Sequence, residues 1–83
     1  MDLRVVASTW YEAVMVNSYG AKLDGTYDNK RDVQKAIKAA NMREKERGYE
    51  PSKYYIMLCN CVRMFEDNGD TVSETITKVR VKN

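Results

Sequence analysis

The chain has 83 residues, 43% hydrophobic and 31% charged, with 14 lysines and arginines against 12 acidic residues and a formal net charge of +2. That supports one small folded domain spanning residues 1–83, with a limited core, rather than a disordered tail or a strongly basic nucleic-acid binder. No apolar run approaches the roughly 20 residues of a membrane span, and Met1-Asp2-Leu3-Arg4-Val5-Val6 lacks the features of a secretory signal, so the cytoplasm is the expected location.

Trp10 to Ser18 is rich in β-branched and aromatic residues and predicts a first strand. The residues before Trp10 either extend that strand or fray. Asn17-Ser18-Tyr19-Gly20 supplies turn chemistry, after which Ala21 to Tyr27, containing Asp24-Gly25, is expected to return as a short, weaker strand. Asp28 or Asn29 can accept from the free amides of a first helical turn, and a helix runs from there to about Glu46. Val33, Ala36, Ile37 and Ala40 recur at the spacing of one helix face, while Arg31, Lys35, Lys38, Met42 and Lys45 fall opposite. Gly48 is placed to end the helix and Pro51 to prevent its resumption.

Lys53 to Phe65 is the most informative stretch, because it is apolar on both alternating sides. One side carries Tyr54, Ile56, Leu58, Val62 and Met64; the other carries Tyr55, Met57, Cys59, Cys61 and Phe65. Such a strand expects cover on both faces. Asn68-Gly69 then signals a tight type I′ hairpin turn. Thr71 to Lys82 returns as a more polar strand, with Thr75, Thr77, Val79 and Val81 on one side and Val72, Ile76, Lys78 and Arg80 on the other. The predicted architecture is α+β, two layers in the order β-β-α-β-β: an antiparallel sheet of about four strands with one helix on one face.

Catalysis finds little support in these residues. The chain has no histidine, which removes the commonest neutral-pH base and any Ser–His or Cys–His nucleophile. Glu12 and Glu74 each interrupt a strand-like pattern; they could face one another as a carboxylate pair, or each could face water or meet a cross-strand cation such as Lys78 or Arg63. Cys59 and Cys61 share one side of a strand with Cβ atoms about 7 Å apart, too far for a disulfide, and are expected to be free buried thiols. With two cysteines and no histidine, a zinc site is not expected. No catalytic residue, metal, cofactor or small-molecule substrate is therefore assigned.

Binding is the better-supported class. One helix can cover one sheet face, which leaves the other to expose some of Trp10, Tyr11, Met15, Tyr55, Met57 and Phe65. The expectation is a non-enzymatic module that docks another protein through an apolar sheet face or an edge strand. Such a chain could act as a small inhibitor or regulator of a larger protein, of the kind phage and mobile-element genomes encode. Self-association into a homodimer is the simplest case. The alternative is nucleic-acid binding, since residues 28–47 hold seven basic and four acidic residues, and Arg31, Lys35, Lys38 and Lys45, with Tyr49 nearby, could meet phosphates and bases.

Overall fold

In the computed structural model, which describes residues 3–16, 21–23 and 25–82, the two-sided strand is the middle of the sheet. The elements are β1 (Arg4–Met15), α1 (Lys30–Glu46), β2 (Tyr54–Phe65) and β3 (Thr71–Val81). The sheet is antiparallel in the order β1-β2-β3. The α+β class holds; the order is β-α-β-β with three strands, not β-β-α-β-β with four.

The first strand extends back to Arg4 rather than fraying, because Arg4–Thr9 pair with Phe65–Asn60 and complete the ladder along β2. The stretch expected as a second strand makes only two isolated bridges to β1, Tyr11 with Tyr27 and Val14 with Lys22. Gly25 sits at φ +90° and breaks the extended run between them. The segment still satisfies part of the outer edge of β1, because Tyr11 exchanges both backbone bonds with Tyr27 and Ala13 accepts from Leu23. The expected Asn17-Ser18-Tyr19-Gly20 turn lies outside the described residues.

The helix begins as its sequence dictates. Asn29 accepts from the Asp32 amide at 2.9 Å and donates to its carboxylate at 3.0 Å, a reciprocal cap. At the other end Gly48 takes φ +85°, and the Gly48 and Tyr49 amides close on the carbonyls of Lys45 and Glu44. Val33 and Ala40 are buried, Val33 in the core against the sheet, while Arg31, Lys35, Lys38, Met42 and Lys45 face water.

The β2–β3 connection is a three-residue loop, Asp67 to Gly69, rather than the two-residue type I′ turn. Glu66 accepts from Gly69 and donates to Asp70, both at 2.9 Å, and Gly69 takes the positive φ. Asn68 accepts from the Asp70 amide at 3.0 Å, and that local bond draws it into the longer loop. The pairing register shifts at Met64/Phe65 beside this loop.

Helix and sheet differ greatly in reach. Each strand of 11 or 12 residues runs about 40 Å, whereas the helix of 17 residues runs about 25 Å. The helix crosses β1 and β2 at one end, around a core of Ala13, Val33 and Ile56, with Tyr11, Leu23, Tyr27, Ile37, Tyr54 and Val81 packed about it. The other end of the ribbon stands clear. The radius of gyration is 16.7 Å, against about 12 Å for a compact domain of this length.

This lopsided cover predicts unequal costs for two truncations in the same strand and on the same face. Ile56→Ala, at a fully buried site, should cost about 3 kcal/mol. Val62→Ala, 40% exposed, should cost less than about 1 kcal/mol. Denaturant melts of the two variants measure the difference, and equal costs would mean that the ribbon end is covered after all.

Candidate functional site

The pairing register sorts every strand residue onto one of two faces, since directly opposed residues share a side. The helix-side face carries Val5, Ala7, Thr9, Tyr11, Ala13 and Met15 from β1, the even-numbered residues Tyr54 to Met64 from β2, and Ser73, Thr75, Thr77, Val79 and Val81 from β3. None of these is charged. The charged residues of the three strands, Arg4, Glu12, Arg63, Glu74, Lys78 and Arg80, all fall on the helix-free face.

Of the residues expected on the helix-free face, Trp10, Tyr55, Met57 and Phe65 are there, and all four are half-buried. Tyr11 and Met15 are on the opposite side, and Tyr11 packs onto the core beneath the helix. That is a correction, and it follows from the period of two: Tyr11 is directly opposite Leu58 and cannot share a face with Trp10.

The helix-free face shelters itself. Cys59 and Cys61 are buried and free, although among the described residues no helix lies over them. Their cover comes from neighbours on the same face, whose long cationic side chains lie across the sheet. The Arg80 guanidinium stands 4.6 Å from the centre of the Tyr55 ring, and Arg63 pairs with Glu74 at 3.0 Å. The Trp10 ring nitrogen is buried here with no hydrogen-bond partner.

At the centre of this layer lies Glu12, only 4% exposed. One carboxylate oxygen accepts from Lys22 at 2.5 Å; the other accepts from Lys78 at 3.2 Å and from the Cys59 thiol at 3.4 Å. Burial pushes its pKa up, but the bonds from Lys22, Lys78 and Cys59 outweigh it and hold the carboxyl at about 2. Burial first, and then the adjacent carboxylate, push the Cys59 thiol up, which keeps it protonated and unreactive. Glu12 and Glu74 thus each meet a cation rather than one another. The arrangement ties β1 to β3 across β2 and to the segment at Lys22; it is an internal clamp and presents no free base.

Two surfaces remain open. The first is the part of the uncharged face that the helix leaves bare: Val5 and Val62 beyond its end, and Val79 on β3, which it does not cross, are 60%, 40% and 50% exposed. The sequence reading passed over these residues, although a count of charges on each side of β2 and β3 would have singled them out. The second is the outer edge of β3, which forms no ladder and whose residues Thr71 to Arg80 are all exposed. The basic residues Arg31, Lys35, Lys38 and Lys45 and the ring of Tyr49 are also exposed, on and just beyond the helix. Among the described residues, no group of three or more His, Cys, Asp or Glu is placed to hold a metal ion, and no helix is long and apolar enough to cross a membrane.

The clamp carries a pH signature. Because the Glu12 pKa is lowered from 4.5 to about 2, its contribution is complete above about pH 4.5 and is lost as pH falls toward 2. Glu12→Gln should lower stability by about 2 kcal/mol at neutral pH and remove this part of the acid-induced loss. Melting temperatures between pH 2 and 7 test both; an unchanged acid profile in the variant would show that the clamp is not formed.

Compared with known protein families, with curated proteins and with solved structures, the chain matches none.

Proposed function

We propose that the chain is a non-enzymatic protein-binding module, acting as a small inhibitor or regulator of a larger protein. The observation that carries this reading is the uncharged sheet face that continues past the end of its own helix. Exposed apolar residues scattered singly over a surface call for no explanation. Here Val5, Val62 and Val79 lie on one continuous face from which every charge is missing, and apolar patches of this kind mark interaction sites.

The partner's chemistry follows from what already fits the same face. On the covered half, α1 meets that face through the aliphatic residues Val33 and Ile37. A partner helix with a similar aliphatic, uncharged stripe would extend that packing over Val5, Val62 and Val79. Thr9, Asn60, Thr75 and Thr77 would supply polar contacts between the apolar ones. The helix-free face also exposes Val6 and Ile76, at 48% and 51%, but there the apolar residues are interleaved with Arg63, Glu74 and Lys78.

Nucleic-acid binding is the second reading. What favours it is that Arg31, Lys35, Lys38 and Lys45 are exposed, with Tyr49 64% exposed just beyond the helix.

Affinity capture from the source cell's lysate, with and without nuclease, separates the two. On the first reading a protein partner survives nuclease, and Val5→Asp or Val62→Asp reduces its recovery about tenfold or more while the thermal melt stays cooperative. Recovery that vanishes with nuclease, and with Lys35→Glu combined with Lys38→Glu, would transfer the function to the helix.

A further inference from the structure

We infer that the free edge of β3 pairs with the β3 of a second copy, antiparallel and centred on Ile76, so that two chains form one continuous six-stranded sheet in the order β1-β2-β3-β3-β2-β1. This deepens the binding-module reading by assigning the edge, as distinct from the uncharged face, to a second copy of the chain.

The open edge comes first. Among the described residues, the backbone groups of β3 that point away from β2 have no ladder partner over 11 residues. A strand edge of this length is a template for another strand. Self-pairing about a two-fold axis has few allowed registers, because opposed residues must lie on the same face. Ile76 is the middle residue of Thr71–Val81, and the register centred on it overlaps the whole strand.

That register is also complementary in charge. It sets Ile76 against Ile76 of the second copy on the axis, and the residue is 51% exposed in the single chain. Glu74 falls opposite the second copy's Lys78, and Lys78 opposite its Glu74. Thr75 and Thr77 meet on the other face as a cross-strand threonine pair. Shifting the axis to Thr75 would place Glu74 against Ile76 and lose this pairing; shifting it to Lys78 would oppose two lysines.

The two charges keep their own partners meanwhile. Glu74 pairs with Arg63 and Lys78 with Glu12, yet their side chains are 39% and 50% exposed. Pairing would therefore join the internal contacts into a row of alternating sign: Lys22, Glu12, Lys78, then the second copy's Glu74 and Arg63. The axis stands perpendicular to the sheet, so both helices lie on the same side. Because the strands run in opposite senses, each helix occupies the end of the sheet that the other copy leaves bare.

Sedimentation or light scattering across a dilution series reads the mass directly. The wild-type chain should show a dimer of twice the 9.6 kDa chain mass. Glu74→Lys, which sets like charges against each other twice, and Ile76→Asp, which does so on the axis, should each weaken dimerisation at least about tenfold. Both positions are exposed, and a cooperative melt confirms that each variant folds. A wild-type chain that stays monomeric, or a dimer that survives both Glu74→Lys and Ile76→Asp, would overturn the assignment. The same variants separate this inference from the reading it rests on. A monomer that still captures its partner through Val5 and Val62 refutes only the edge pairing; a dimer with no captured protein refutes only the docking face.

Discussion

A central strand that is apolar on both sides must be sheltered twice, and this chain has one helix with which to do it. The two faces of β2 reach different solutions. On the side of Ile56, α1 supplies the shelter as far as it extends, and beyond it the uncharged surface is bare. On the side of Cys59, the sheet folds its own arginines, lysines and aromatic rings over the layer and buries two thiols and a carboxylate without a second layer of structure. Side-chain stems make adequate cover where charges are available to cap them with water. The helix-side face, having no charges, cannot use this solution.

Glu12 shows how closely the two faces depend on each other. A glutamate in the strand beside β2 would be costly if buried alone, and it is tolerated because the cations at Lys22 and Lys78 reach it from both flanks. These contacts span the whole width of the sheet, from the segment outside β1 to β3. The clamp thus holds in place the strand whose other edge is open, and a rigid edge loses less entropy on pairing than a frayed one.

Much of this could be read in the sequence where the signal was local. A cap at Asp28 or Asn29, Gly48 as a stop, the buried stripe from Val33 to Ala40 and the two-sided pattern of β2 each depend on neighbours a few residues away. For Glu12 and Glu74 the sequence allowed three outcomes, water, a cross-strand cation or one another, and the register of the strands selects the cations. What escaped was decided by distant contacts. Arg4–Thr9 carries no clear alternation of its own and becomes strand because β2 needs a partner along its full length. Ala21 to Tyr27 has reasonable strand residues, yet Gly25 interrupts it and leaves two bridges. Of the aromatic and methionine residues expected on the helix-free face, Trp10, Tyr55, Met57 and Phe65 are there, whereas the sides of Tyr11 and Met15 follow from a pairing register that only the distant β2 strand sets.

The short strip from Ala21 to Tyr27 has one more consequence, for growth of the sheet. By occupying backbone groups of Tyr11, Ala13 and Met15, it caps half of the outer edge of β1. An edge-to-edge fibril needs an open margin on each side of every unit, and here one margin is reduced to the stretch before Trp10. Two copies joined through β3 would present only these two shortened margins to a third. The strip is too irregular to count as a strand, and it serves as a stop that keeps a naked β-ribbon from polymerising.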